Sequence, residues 1–361
     1  MKTLMTKFYT FKHACANVCC AKVFKRNYLV NTAQQTLASK IHPYKQMHPW
    51  KSLDEFSEDL LNNIIYNEDG LVVLNKPYGI KRTGSYKSDN LWNNVPNGVY
   101  YTLQDALPYI RNKLNYPNLS IFRSPEIICT NFNTRYMSGV TLLAADFSVE
   151  EAAQIAFARS HFHSNTYWIV TVGVPKQLKN QHRLALKLIS NPAFDQKKAI
   201  ITEKWSKQDE VHNKIKILKV DYNVLSNSTL NLCSLIEMKA STEHRHAIRL
   251  FASTFLYCPV LGDNICASQI QKVGNTYLKV DPFLTYPAPP KLDRRLLQLL
   301  DVNPKQQIII PAHIHLRSVF LPSLFKKDVT VEAPLMPSFD WTCKQLEFKY
   351  FIITFSKSHV T

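Results

Sequence analysis

Apolar and polar positions change period along the chain, and the changes mark out its elements. Ile64-Ile65-Tyr66 is followed by Asn67-Glu68-Asp69-Gly70 and then by Leu71-Val72-Val73-Leu74. Two β-rich runs joined through Asp-Gly read as a hairpin, because that dipeptide accepts the positive φ angles of a tight turn. The folded part is therefore expected to start near residue 60. Gly139 to Asp146 is a nearly continuous apolar run suited to a buried strand, and Ser148 with Glu151 has the spacing of a capping box. A helix should follow through Ala152, Ile155, Ala156 and Ala158 to about His161, and Thr166 to Val172 should return as a β-branched and aromatic strand. Lys216 to Tyr222 and Ser228 to Lys239 alternate as paired strands do. His244 to Leu256 fits a helix with Ile248, Phe251, Ala252 and Phe255 inward. A Leu-rich helix is expected near Arg294 to Leu300, with strands at Gln307 to Leu316 and Val329 to Glu332. Strands and helices mix without regular βαβ alternation, so the pattern predicts an α+β domain on a largely antiparallel sheet.

Charge narrows the class of partner. The 361 residues carry 44 Lys and Arg against 27 Asp and Glu, a net +17, which favours a polyanion such as RNA, DNA or an anionic membrane surface over a merely solvated basic face. Nine of those cations lie in residues 1–53, and the first acid is Asp54; removing nine from +17 leaves +8. A basic, acid-free and weakly amphipathic leader resembles a mitochondrial transit peptide, and import into the mitochondrial matrix is the expectation. The alternative is a basic arm that touches nucleic acid directly. Residues 176–216 hold ten Lys or Arg against four acids and read as a basic surface insertion. No apolar run reaches 18 residues, so no membrane span is expected.

Other chemistries fail on spacing. The eight glycines include no GxGxxG, and Gly79 to Gly84 is followed by Ser85 where a phosphate-binding loop needs Lys. The eight cysteines form no CxxC or Cys/His zinc pattern and read as reduced thiols. His313 and His315 are half of a metal site at most, and no metal or cofactor is expected.

Five segments, taken in order, resemble the RluA family of RNA pseudouridine synthases. Asp69 to Ile80 (DGLVVLNKPYGI) is similar to the family's opening hairpin and Lys-Pro turn. Thr130 to Ala144 (TNFNTRYMSGVTLLA) stands where the family has HRLDxxTSG and a strand. Thr166 to Gly173 (TYWIVTVG) resembles the KxTYxALVxG strand, and Glu243 to Asp263 (EHRHAIRLFASTFLYCPVLGD) resembles GRTHQIRxH and the later GHPxxGD turn. Ala312 to Pro334 matches the closing strands, which end in Glu332-Ala333-Pro334-Leu335. The resemblance implies one pseudouridine synthase domain over residues 60–345, between the leader of residues 1–53 and a tail of residues 346–361. Its fold would be a bent, mixed and mainly antiparallel sheet with flanking helices and an RNA cleft across the middle.

Such enzymes isomerise uridine with one Asp carboxylate, as nucleophile or to relieve charge at the sugar carbon, and with no cofactor. Aligning Ser138-Gly139 on the family pattern puts Thr134 at the Asp position, and a neutral hydroxyl needs a positioned base to act as nucleophile. The preceding His and Arg are Asn131 and Phe132 here. The resemblance carries over Tyr167 as the ring that stacks on the target uracil and Arg249 as the partner of the catalytic carboxylate. Phe132, Arg135 and Arg245 are candidate RNA contacts, with Arg245 one turn before Arg249 in a phosphate-binding stripe. Two readings follow: a mitochondrial RNA-binding protein that has lost Asp-dependent catalysis and acts in RNA metabolism or ribosome assembly, or an active synthase on mitochondrial mRNA or rRNA with a modified site. A carboxylate within reach of both Tyr167 and Arg249 would favour the second. A DNA-binding regulator is a third class, but no helix-turn-helix or finger signature supports it.

Overall fold

A computed structural model describes residues 41–83, 101–123, 127–129, 132–134, 136–160, 164–191, 196–274, 276–286 and 288–350. The chain divides into two units, Met1–His42 and Pro43–Thr361. The second unit opens with helix α1 (Leu53–Asn62), capped by Ser52, whose hydroxyl accepts from Glu55 N at 3.1 Å. The predicted hairpin follows as β1 (Ile64–Glu68) and β2 (Leu71–Lys76), turning at Asp69 and Gly70 with φ of 51° and 78°. Then come α2 (Leu103–Leu114), β3 (Ser120–Arg123), β4 (Ile127–Cys129), β5 (Phe132–Thr134), β6 (Ser138–Ala144), α3 (Phe147–Ser160), β7 (Asn165–Val172), β8 (Lys179–Asn191), β9 (Gln196–Thr202), α4 (Lys207–Val211), β10 (Ile215–Asn227) and β11 (Cys233–Ala240). The last third holds α5 (Ala247–Leu250), β12 (Ile270–Val273), β13 (Thr276–Lys279), α6 (Arg294–Leu299), β14 (Ile314–Leu324), β15 (Lys327–Glu332) and α7 (Pro337–Gln345).

The main sheet runs β1-β2-β6-β14-β7-β11-β10-β8-β9, with β15 added on β14 and β3 on β6. Among the described residues only β14 and β6 pair in parallel, so the sheet is mixed and mostly antiparallel, and the α+β expectation holds. Alternation along β7 sends Tyr167 and Ile169 into one core and Trp168 and Val170 into the other. The first core is closed by α3 and α5, the second by α6 and α7. At the parallel crossing Gly139 has φ +113°, and a Cβ there would stand 2.2 Å from Leu316 O. No larger residue lets β6 and β14 approach this closely.

Several expectations shift. Packing begins before residue 60: Tyr44 is fully buried and its hydroxyl shares a 2.8 Å hydrogen bond with Thr342, while Phe56 and Leu60 are also buried. The domain therefore takes in part of the segment assigned to the basic leader. It also continues past residue 345, since Leu346 and Phe348 are buried and Tyr350 donates to Asp340 Oδ1 at 3.2 Å. Residues 176–216, read as a basic surface insertion, contribute strands to the main sheet. Their long strand β8 pairs with β10 from Lys179 to Lys187, and Leu184, Ala185 and Leu186 are buried. The cap of α3 is Asp146, whose Oδ1 accepts from Val149 N at 3.0 Å, because the helix starts a residue before Ser148. The strand expected at Gln307 to Leu316 lies at Ile314–Leu324, preceded by a 3-10 turn that Asn303 and Pro304 start. His313 and His315 are buried structural groups: His313 Nε2 is 2.8 Å from Thr342 Oγ1 and His315 Nδ1 is 2.9 Å from Ser138 Oγ. Among the described residues no helix is long and apolar enough to cross a membrane.

Candidate active cleft

The Lys-Pro turn, the segment after β5, α5 and the 261–263 turn converge. Lys76, fully buried at the end of β2, donates from Nζ to Ile80 O and Met137 O, both at 2.8 Å. Those bonds tie the turn of Pro77 and Tyr78 to the chain entering β6. Tyr78, Tyr136 and Ala312 pack together, and the Tyr78 hydroxyl accepts from Ala312 N at 2.9 Å.

Against Tyr136 lies Arg249, with its guanidinium carbon 4.6 Å from the ring centroid. Arg249 is fully buried, and Nη2 forms a salt bridge with Oδ1 of Asp263, which is fully buried too. Burial lowers the affinity of Arg249 for its proton, but the adjoining carboxylate outweighs that and holds the guanidinium firmly charged. Asp263 Oδ1 also accepts from Ile265 N at 2.8 Å and Cys266 N at 3.0 Å, so the carboxylate orders its own turn. Gly262 makes the approach possible: at φ +81°, a Cβ would lie 2.0 Å from Pro311 O. Arg249 Nε and Nη1 and Asp263 Oδ2 are buried without a hydrogen-bond partner among the described residues.

Tyr167 is equally buried on the β7 face toward the first core. Its hydroxyl donates to Glu243 Oε1, and the Asn165 amide donates both to the Tyr167 oxygen at 3.0 Å and to Glu243 Oε1 at 3.1 Å. Asn165 and Tyr167 share a face because they are two apart on a strand. Arg123 Nη2 stands 3.8 Å from the same carboxylate oxygen, and its guanidinium lies 4.0 Å from the Phe157 ring centroid. Burial first, and then the Glu243 charge, push the Tyr167 phenol well above its ordinary value, so it keeps its proton.

Glu243 opens a strained turn. Arg245 and His246 have φ of 57° and 60°, the left-handed region that costs a side-chain-bearing residue roughly 1–2 kcal/mol. The helix expected from His244 is therefore a 3-10 turn (His244–His246), then α5, then a π-helical stretch (Phe251–Phe255). Arg245 lies outside the α-helix and Arg249 inside the core, so the two make no exposed phosphate-binding stripe. Thr134 and Phe132 lie on β5, paired with Ile127 and Cys129 of β4. Arg135 and Asn131 fall outside the described residues.

The carboxylate sought near both Tyr167 and Arg249 is thus two carboxylates. Glu243 serves the tyrosine and Asp263 the arginine, and among the described residues no acid is bonded to both. Both acids stand inside segments that carry the family resemblance, but nothing local marks them as partners. A Gly-Asp turn after an apolar run was the one signal that could have singled out Asp263.

No protein-family model matches the chain. Its sequence is 26% identical over 300 residues to the mitochondrial mRNA pseudouridine synthase RPUSD3 of Homo sapiens, spanning 82% of this chain and 79% of that protein. It is 24% identical over 305 residues to the mitochondrial pseudouridylate synthase RPUSD4 of Mus musculus, spanning 80% and 69%. The solved structure of human RNA pseudouridylate synthase domain containing 4 superposes with a TM-score of 0.58 at 21% identity, covering 82% of this chain and 98% of that one. The fold is that of the pseudouridine synthases, and the resemblance to the RluA type holds across most of the chain.

Proposed function

We propose that this relative of the RluA-type pseudouridine synthases is a mitochondrial RNA-binding protein whose uridine-isomerising chemistry has been lost. RNA is the partner the relatives' activity implies, and the +17 charge suits it. The names of the relatives likewise favour the mitochondrion, with the matrix as the compartment and the basic, acid-free segment ahead of Pro43 as the import leader. Cleavage ahead of Pro43 would leave the packed unit whole.

One observation carries the loss of chemistry: the two residues matched to the family's site are each closed off by a separate internal acid. Tyr167 has no exposed ring surface for a uracil, and its hydroxyl is held by Glu243. Arg249 is paired with Asp263, a residue fixed in its own turn. Thr134, at the family's Asp position, brings no charge.

Glu243 favours the second reading, an active synthase with a modified site, because it is a carboxylate already in contact with Tyr167. The two part on one experiment. Full-length protein is incubated with mitochondrial RNA, and pseudouridine, which has the mass of uridine, is separated from it by liquid chromatography of the nucleosides and counted by mass spectrometry. Lost chemistry predicts no conversion above a heat-killed control. Conversion that Glu243→Gln abolishes would install the active-synthase reading instead. A fluorescent protein fused to residues 1–53 that stays in the cytosol would sink the import claim.

A further inference from the structure

Away from the cleft, the π-helical stretch, β8, β10 and the β12–β13 hairpin enclose an open pocket of about 640 Å³. Its inner wall is aromatic. The Phe255 ring meets His182 edge-on at 4.6 Å, and Tyr222 lies parallel to His182 at 6.0 Å. At its mouth Tyr257 and Tyr277 are stacked with centroids 6.2 Å apart. Tyr257 is held at φ +57°, so the backbone accepts strain in placing this ring. Tyr277 is 39% exposed on a hairpin whose Val273 and Leu278 are also open to solvent. None of the lining residues is acidic, Lys176 is among them, and the Lys272 ammonium stands 5.6 Å from the Tyr277 ring centroid.

We propose that this pocket is a subsite for an unpaired base of a single-stranded RNA segment, stacked at Tyr257 and Tyr277 with its flanking phosphates on Lys176 and Lys272. The volume falls within the range of small-ligand sites, about 300–1,000 Å³. Aromatic faces beside cations at a basic surface are what single-stranded nucleic acid needs: the rings accept any base and the lysines neutralise the backbone. The proposal rests on the RNA reading above and places part of that contact on residues other than Tyr167, Arg249 and their acids.

The test uses full-length protein and a fluorescein-labelled, uridine-rich single-stranded ten-residue RNA carrying one 5-iodouridine. Tyr277→Ala should weaken binding roughly five- to hundred-fold, while Tyr277→Phe keeps the ring and stays within about two-fold of wild type. Lys176→Ala should lower the salt slope by roughly one counterion. Irradiation should cross-link peptides containing Tyr257 or Tyr277. Wild-type binding that Tyr277→Ala leaves unchanged, with cross-links elsewhere, overturns the subsite, leaves the RNA reading standing and gives the hairpin face to a protein partner. Absence of any wild-type binding overturns both. Tyr277 is a surface residue, so a circular dichroism melt matching wild type is expected for each variant at that position.

Discussion

Asp263→Asn tests whether the Arg249–Asp263 pair is the internal lock the site depends on. Both side chains are fully buried, so solvent screens neither charge. Asparagine keeps Oδ1 as acceptor for Ile265 N and Cys266 N, and the change removes the charge with little else. Arg249 already has two unpaired donors, and no other described acid is bonded to it, so the guanidinium becomes an uncompensated buried cation. Breaking such a pair costs about 3–5 kcal/mol. That is a large share of the roughly 5–15 kcal/mol by which a domain is stable. At about 2 °C per kcal/mol for a domain of this size, the melting temperature should fall by roughly 6–10 °C. Asp263→Ala should cost more, because the two backbone donors also lose their acceptor. Arg249→Met with Asp263→Asn removes both charges and should recover most of the loss. Urea unfolding of wild type, Asp263→Asn, Arg249→Met and the double variant gives the cycle. A cost under about 1 kcal/mol for Asp263→Asn, or a double variant equal to the sum of its singles, would refute the buried-pair argument.

Acid should destabilise the domain through its core histidines. Burial lowers His313 to about 4 and His315 to about 3, against an unfolded value near 6.5. The unfolded state then binds more protons below pH 6.5, so their contribution is full above that pH and is lost as pH falls, by roughly 1.4 kcal/mol per pH unit for each histidine below about pH 5.5. Stability measured in urea from pH 7 to pH 4.5 should show that slope, and a variant with Gln at both positions should be shallower but not flat, because burial and then the Arg249 charge also lower His246 to about 3; equal slopes would count against the assignment. Gly262→Ala should destabilise by more than about 2 kcal/mol, because its Cβ would sit 2.0 Å from Pro311 O at a φ of +81°. A melt within 1 °C of wild type would show that the turn relaxes freely. Thr134→Asp should restore at most a trace of uridine isomerisation in the mass-spectrometric assay, since Arg249 is already held by Asp263. Brisk conversion by that variant would mean the arginine exchanges partners readily.

Sequence periodicity determined much of the architecture. The Asp69-Gly70 hairpin, the buried runs of β6 and β7 and the α+β class follow from local rules, because turn dipeptides and apolar alternation act within a few residues. The ordered motifs also carried the kinship, since they name side chains and need no geometry. Only tertiary structure could pair Tyr167 with Glu243, 76 residues away, and Arg249 with Asp263 across a turn that depends on Gly262 packing against Pro311. It also put left-handed backbone at Arg245 and His246, where apolar spacing alone reads helix. Spacing records which face a side chain takes along its own element. Which acid completes a buried cation is decided by burial itself, because a charge removed from water must find its partner wherever the folded chain has brought one.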